Sequence, residues 1–191
     1  MRVSLSPVIL LLIATLTVQP FTLSLAHAQG SRFVIHNTEI SIEHGVYLLK
    51  ADVDYVLSGP VKEALLNGVS LVFTLEIEVL EYYDWWWNWQ IANLEQRYRL
   101  EYHALSRQYV VENLNTGVQE SFSRLTSVLH HLGRIIDLPL IDSTLLDSSK
   151  NHVFQLRVSL DVDELPLPLR VRAYIFSDWQ LGTDWYTQRL P

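Results

Sequence analysis

Residues 69–79 read Val-Ser-Leu-Val-Phe-Thr-Leu-Glu-Ile-Glu-Val, with an apolar side chain at every odd-numbered position. Most of the even positions are polar, and they comprise Ser70, Thr74, Glu76 and Glu78. Successive side chains of a β-strand point to opposite faces, so this alternation predicts a strand with one buried face and one solvated face. Strands of this kind are typical of antiparallel sheets, and a mainly β fold is therefore the first expectation.

The same alternation recurs along the chain between short turn signals. It predicts further strands over residues 33–43, 47–57, 94–104, 152–162 and 170–176. A second hairpin is expected with its turn at Leu105-Ser106. This turn sets Tyr102 opposite Tyr109, Leu100 opposite Val111 and Arg99 opposite Glu112.

Two short helices are expected among these strands. The first covers residues 61–67, where Ser58 suits the N-cap and Gly68 suits the left-handed position after the last turn. The second is capped by Ser121 or Ser123 and has an apolar stripe at helical spacing. This stripe consists of Leu125, Val128, Leu129 and Leu132, and Gly133 follows it.

Strands joined by short turns, with only two small helices, predict an antiparallel β-sandwich of seven to eight strands. The alternative is one curved sheet covered by the helix at 121–133. No linker divides residues 29–191, so these residues are expected to form a single β-rich domain.

Charge pairing predicts how the strand at 69–79 pairs with the strand that follows it. Opposite charges facing each other across two strands stabilise a sheet by about 0.2–1 kcal/mol, and like charges destabilise it. A register that sets Glu76 opposite Arg99 and Glu78 opposite Arg97 satisfies this rule. It places the hairpin turn at residues 87–88.

The composition limits the classes of function. The chain has 191 residues, of which 49% are hydrophobic and 18% are charged, a profile typical of folded globular proteins. A formal net charge of −7 argues against nucleic acid binding, because phosphate contacts need clustered Lys and Arg. The absence of cysteine excludes disulfides, thiolate nucleophiles and Cys-ligated metal centres.

Residues 1–28 have the pattern of a secretory signal peptide. Arg2 precedes an apolar run of about 12 residues, and Ala26-His-Ala28 matches a cleavage signal. Pro20 interrupts the apolar stretch, which argues against an uncleaved membrane anchor. We expect cleavage after Ala28 and export to the periplasm, without a lipid anchor because the chain has no cysteine to carry one.

Three segments together carry a family resemblance. They are Arg97-Tyr-Arg-Leu-Glu-Tyr-His-Ala-Leu-Ser-Arg-Gln-Tyr109, Leu132-Gly-Arg-Ile135 before Leu138-Pro139, and Ser177-Asp-Trp-Gln-Leu-Gly-Thr-Asp-Trp185. With the N-terminal signal and the aromatic segment described below, they resemble the proteobacterial exported proteins grouped as domain of unknown function 4390. The resemblance covers nearly the whole exported chain and implies a periplasmic protein of a Gram-negative envelope. It brings no activity, cofactor or catalytic residue.

The sequence contains no motif that predicts catalysis. Nucleotide-binding loops, zinc-protease motifs and serine-hydrolase elbows are absent. His130 and His131 are adjacent on the second helix and point about 100° apart, so the pair is not expected to bind a metal. Glu76 and Glu78 are spaced like a glycosidase pair, but arginine neighbours would keep both carboxylates ionised, which favours a salt-bridged sheet face. We therefore expect a non-enzymatic protein without a metal or cofactor.

The segment Tyr82-Tyr-Asp-Trp-Trp-Trp-Asn-Trp89 is the strongest candidate for a binding site. It contains Trp85, Trp86, Trp87 and Trp89, four of the six tryptophans. A hairpin tip cannot bury both of its faces, so at least one ring is expected to contact solvent and to be available to a partner. Burial under a neighbouring loop is the alternative. No Lys or Arg lies between Lys62 and Arg97, which argues against membrane docking by this tip.

Two similar triplets near the C-terminus form a second candidate. Asp178 and Trp179 follow a serine, and Asp184 and Trp185 follow a threonine six residues later. The simpler interpretation is a pair of turns whose tryptophans pin the C-terminus to the core. The alternative is an edge that recognises a partner at two points.

These patterns favour a periplasmic binding or scaffold module that contacts another envelope component through the aromatic tip. The partner would be a protein, a glycan or a lipid. The alternative is a carrier that holds a lipid or glycan between its sheets or beneath the helix at 121–133. A carbohydrate-active hydrolase is the third interpretation. The sequence does not indicate an oligomeric state.

Overall fold

The computed structural model describes residues 32–83 and 88–191, so the predicted signal peptide lies outside the described residues. The strands are β1 (Val34–Glu43), β2 (Val46–Asp54), β3 (Leu71–Glu81), β4 (Trp89–His103), β5 (Gln108–Asn113), β6 (Gln119–Phe122), β7 (Arg134–Asp142), β8 (His152–Leu160) and β9 (Tyr186–Arg189). The helices are α1 (Gly59–Leu66), α2 (Leu125–Gly133) and α3 (Leu167–Ile175). None of these helices is long and apolar enough to span a membrane.

The strands form two antiparallel sheets, which confirms the predicted mainly β architecture. The smaller sheet has the order β1-β2-β7, and the larger sheet has the order β6-β5-β4-β3-β8-β9. The described residues contain nine strands and three α-helices, where the sequence predicted seven to eight strands and two helices. The larger sheet is twice as wide, so part of its inner face extends beyond the smaller sheet.

The inner faces of the two sheets share one hydrophobic core. Aromatic rings join the sheets at its centre: Phe33 and Tyr55 lie 4.8 Å apart between ring centroids, and Tyr55 meets Phe73 edge-on at 5.3 Å. The alternating apolar faces predicted for residues 47–57 and 69–79 are buried in this core. Burial of these faces supplies most of the driving force for packing one sheet on the other.

The predicted register between β3 and β4 is wrong. Glu76 lies opposite Glu95, and Arg99 lies opposite Val72. The like charges are tolerated because β3 is a central strand and its other neighbour, β8, places Arg157 opposite Glu76. Arg157 donates hydrogen bonds to Glu76 through its guanidinium group. The charge of Glu76 is therefore compensated by Arg157 of β8, a strand that the predicted pairing of β3 with β4 did not include.

The predicted hairpin of β4 and β5 is confirmed in every pair. Tyr102 lies opposite Tyr109, with ring centroids 4.8 Å apart, and Leu100 lies opposite Val111. Arg99 Nη1 donates to Glu112 Oε2 at 3.0 Å.

The two predicted helices are confirmed, but only one of the predicted caps is. Ser58 caps α1, and its hydroxyl accepts a hydrogen bond from the Val61 N–H at 3.3 Å. Arg124 occupies the N-cap of α2 and makes no side-chain capping bond, so Ser121 and Ser123 do not cap this helix. Ser121 instead belongs to β6.

Residues 170–176 were predicted as a strand and lie largely in α3. The run Arg-Val-Arg-Ala-Tyr-Ile alternates, but it also suits a helix that begins with Pro168 in its first turn. Ala173 is the only buried residue of α3, and most of the larger apolar side chains of the helix stay exposed. The segment therefore follows the helical period and not the two-residue period of a strand, and it packs on the core through Ala173.

Candidate functional site

A cleft of about 660 Å³ opens between the two sheets, where the larger sheet extends beyond the smaller one. One wall is the inner face of β3, β4, β5 and β6, and the other wall is β7. Helix α2 connects β6 to β7 and closes one side of the cleft. The carrier interpretation expects its ligand between the sheets or beneath the helix at 121–133, and this cleft touches both places.

The interior of the cleft is apolar. Leu75, Val111 and Leu132 are buried at its floor. Tyr98, Phe122, Ile135 and Leu138 line its walls and are partly buried. Such a surface can hold an apolar group without leaving polar atoms unpaired.

Two tyrosines line the cleft, of which Tyr55 is buried and Tyr98 is partly buried. Burial raises the pKa of the Tyr55 phenol, and the nearby Tyr98 adds to this effect. Burial also raises the pKa of Tyr98. Both phenols are therefore neutral around pH 7, and they offer hydroxyl groups but no charge.

Polar side chains form the rim. The residues that contribute them are Asn113, Thr116, Glu120, Ser127, His130, His131 and Arg134. His131 Nε2 lies 3.2 Å from Glu120 Oε1, and the His131 ring packs on Phe122 with centroids 5.1 Å apart. Arg134 is exposed and forms no ion pair within residues 32–83 and 88–191. The rim thus presents one guanidinium group that is available to an anionic group.

A serine and a histidine lie near each other on the rim of the cleft. Ser127 and His131 are four residues apart on α2, and within the described part of the chain the polar side-chain contact of His131 is with Glu120, through Nε2. In the same residues, no group of three or more His, Asp or Glu side chains is placed to hold a metal ion. The rim residues in the described part of the chain offer hydrogen-bonding and charged groups to a ligand.

A second hollow of about 480 Å³ lies on the other flank of α2, against β2. His130 and Arg134 reach both hollows. Between the two hollows, Gly133 anchors the end of α2 against the backbone of Val53. The C-terminal end of α2 therefore lies close against β2, and a hollow lies on each flank of the helix.

The aromatic tip is described only in part. Trp85, Trp86 and Trp87 lie outside the described residues. Trp87 is also the first residue of the predicted turn at 87–88. Trp89 begins β4 and is 71% exposed. Tyr82 and Tyr83, at the end of β3, are also exposed. These three rings place apolar surface in solvent at this end of the larger sheet.

The two C-terminal triplets lie in different environments. Trp179 is buried in the core, the place that the pinning interpretation gives it. Trp185 is half-buried, and the Arg157 guanidinium carbon lies 4.5 Å from its ring centroid. Asp184 pairs with Arg32, and Asp178 is exposed. Of these two indoles, only that of Trp185 is therefore partly accessible to a partner.

The carboxylates at 76 and 78 belong to the outer face of the larger sheet, away from the cleft. Glu76 pairs with Arg157. The arginines that the sequence assigned to them pair elsewhere: Arg97 with Asp161 at 3.1 Å and Glu164 at 2.7 Å, and Arg99 with Glu112. The face is salt-bridged as expected, but with other partners.

Sequence reasoning did not identify the wall residues of the cleft. Tyr98 and Phe122 are 24 residues apart in sequence and lie on different strands, and Ile135 belongs to the other sheet. The apolar stripe of α2 was the one available signal, because it shows that something apolar lies beneath the helix.

The family model described as Domain of unknown function (DUF4390) matches residues 30–189. The match spans all of the described strands and helices. No curated protein and no solved structure matches the chain.

Proposed function

The chain belongs to the family described as domain of unknown function DUF4390, and we propose that it is an exported binding protein that holds an amphipathic lipid-like ligand between its two sheets. The observation that carries this proposal is the cleft of about 660 Å³ with an apolar floor and a polar rim. Sites for small ligands have volumes of about 300–1,000 Å³ and combine apolar walls with a few polar groups.

The distribution of polarity favours an amphipathic ligand. An acyl chain or other apolar portion would pack against Leu75, Val111 and Leu132 at the floor. The polar end would lie at the rim, where Arg134 offers a charge-assisted hydrogen bond to an anionic group. A wholly polar ligand, such as a glycan, would leave the apolar floor unmatched.

A direct test is titration of the purified protein with a fluorescent long-chain fatty acid, followed by extraction and mass spectrometry of any molecule that co-purifies. We expect saturable binding. Ser127→Trp places an indole in the cleft from an exposed position on α2, and it should weaken binding by at least about tenfold through steric exclusion.

Ser106→Trp is the matched control, because Ser106 is exposed in the turn between β4 and β5 and does not line the cleft. It should bind like the original protein. Binding that is not saturable, or that both variants weaken equally, would contradict the proposal.

The periplasm is the compartment that we propose for this activity. The N-terminal pattern of Arg2, an apolar run and Ala26-His-Ala28 supports export with cleavage after Ala28. Mass determination of the protein isolated from the periplasmic fraction tests this point. A mass that includes residues 1–28 would contradict it.

A second candidate function is contact with another envelope component through the aromatic tip, and the exposed Trp89 favours it. A photo-crosslinking amino acid at position 89 should give one adduct of defined mass in cells. The control is the same amino acid at Leu105, which is fully exposed just beyond the other end of β4. Equal adducts from both positions would show that the tip is not selective.

A further inference from the structure

Helix α3 presents its large apolar side chains to solvent. Leu167 is 71% exposed, Val171 58%, Tyr174 59% and Ile175 68%. These residues are spaced at i, i+4, i+7 and i+8, so they form one continuous stripe along the helix. Phe176, directly after the helix, is also exposed. The usual orientation of an amphipathic helix, with its apolar stripe in the core, is reversed here.

The side of α3 that packs on the protein is different. Ala173 is fully buried, and Leu169 packs partly against the core. At about 100° per residue, Ala173 lies on the opposite side of the helix from the stripe. The helix therefore packs on the protein through Ala173, and the large apolar side chains of its stripe face solvent.

Two arginines flank the stripe. Arg170 and Arg172 project on either side of it at about 100° per residue. Arg170 donates to the Leu165 carbonyl, and the Arg172 guanidinium carbon lies 5.6 Å from the Phe176 ring centroid. No acidic residue occurs between Leu165 and Phe176 in a chain whose net charge is −7.

The nearest acidic groups are largely engaged. Asp161 and Glu164 both pair with Arg97, and Asp163 accepts a hydrogen bond from the Tyr174 hydroxyl. Asp178, beyond the end of the helix, is exposed. The helix that carries the stripe thus has two arginines and no carboxylate of its own, and Asp163 is the acidic residue that contacts it.

We propose that α3 docks the protein on the surface of a phospholipid bilayer that contains anionic headgroups. An interfacial helix buries its apolar face about 5–10 Å into the headgroup region, with cationic side chains at the edges of that face. The stripe and its flanking arginines have this arrangement, and Tyr174 and Phe176 supply aromatic rings at the interface.

The size of the stripe argues against a second protein copy as the occupant. Nine residues give a helix about 13 Å long. The footprint of such a helix is far below the roughly 800 Å² per partner that a stable protein interface buries. A bilayer needs no complementary groove and accepts a convex ridge.

The absence of cysteine allows a direct test on the protein as purified after export. A single cysteine is introduced as Ile175→Cys, labelled with an environment-sensitive fluorophore, and mixed with vesicles of phosphatidylglycerol and phosphatidylethanolamine. We expect a blue-shifted, brighter emission. The control is Leu105→Cys, a fully exposed apolar position in the β4–β5 turn, whose emission should not change.

Vesicle co-sedimentation measures the contribution of the stripe and of its charge. The double variant Val171→Asp with Ile175→Asp should reduce partitioning by at least about tenfold, whereas Leu105→Asp should have no effect. Arg172→Gln should weaken binding about fivefold on these vesicles and leave any binding to phosphatidylcholine vesicles unchanged. Circular dichroism verifies that the exposed substitutions leave the fold intact.

The proposal is overturned by an unchanged emission at position 175, or by co-sedimentation that the double Asp variant does not reduce. It is also overturned if the original protein is a dimer in analytical ultracentrifugation and the double variant is a monomer. That result would assign the stripe to a second copy of the chain. Ligand binding in the cleft is measured without vesicles, so failure of one proposal does not decide the other.

Discussion

Gly133, at the end of α2, lies against the main chain of Val53 in β2. A side-chain carbon built at Gly133 would overlap the Val53 carbonyl oxygen and come within 3.2 Å of its carbonyl carbon. Both partners are main-chain atoms in packed elements, so neither can move aside as the end of a long side chain would. Only glycine permits α2 to approach the smaller sheet this closely.

Gly133→Ala is therefore expected to destabilise the protein by about 1–3 kcal/mol, the usual cost of forcing an extra carbon into packed structure. Urea denaturation measures this change in the free energy of unfolding. Gly59→Ala is the matched control, because Gly59 opens α1 and a side-chain carbon there meets nothing within 4 Å. If both variants unfold at the same urea concentration, the close approach of α2 to β2 is not needed.

Ser58→Ala should cost about 1 kcal/mol, because it removes the hydroxyl that accepts the Val61 N–H at the start of α1. Ser123→Ala provides the comparison: Ser123 precedes α2 but does not cap it, so we expect a change within about 0.5 kcal/mol. Thermal unfolding of the two variants measures both effects. A larger loss for Ser123→Ala would show that it stabilises the start of α2.

Arg157 links two features, since it pairs with Glu76 on β3 and stacks on Trp185. Arg157→Gln should cost about 1 kcal/mol, because Glu76 then faces Glu95 without compensation from β8. Combining it with Glu76→Gln should recover part of that loss. A double-mutant cycle measures the coupling between the two residues. Purely additive effects would show that Arg157 acts through Trp185 alone.

Glu81 makes the stability depend on pH. Hydrogen bonds from Lys150 and Tyr83 hold the pKa of Glu81 below its ordinary value of 4.5, and Lys150 Nζ lies 2.8 Å from Glu81 Oε1. A carboxylate whose pKa is lowered by folding contributes stability above its unfolded pKa and loses it as the pH falls through the folded value. We therefore expect the original protein to lose stability below about pH 4.5 more steeply than Glu81→Gln does. Urea midpoints measured across this pH range give the comparison, and parallel curves would contradict it.

Local interactions explain which parts of the fold the sequence could predict. The β4–β5 hairpin follows from a short turn and from the Arg99–Glu112 pair, which lie close in the chain. The β3–β4 register failed because Glu76 is balanced by Arg157, which is 81 residues away and belongs to the other neighbouring strand. A central strand has two neighbours, so charge pairing with one of them does not determine its register.

The candidate site was harder to predict than the fold. The cleft exists because one sheet has six strands and the other has three, and the number of strands in each sheet depends on pairings between distant segments. The segment around Val171 satisfies both a two-residue and a helical period, and only the burial of Ala173 decides between them. The exposed stripe of α3 consequently has no counterpart among the sequence predictions.

The irregular backbone of β7 bears on which class of ligand the cleft could bind. Asp137 has a left-handed backbone (φ 49°), Pro139 lacks an N–H group, and the pairing with β2 shifts register at two places. Such a strand offers few main-chain donors and acceptors in a regular row, so it is a poor template for an added peptide strand. If the cleft binds a ligand as proposed, we expect recognition to depend on volume and on polarity at the mouth. A site of this kind discriminates weakly between neighbouring members of a homologous series, so the natural occupants should be isolated as a mixture of chain lengths.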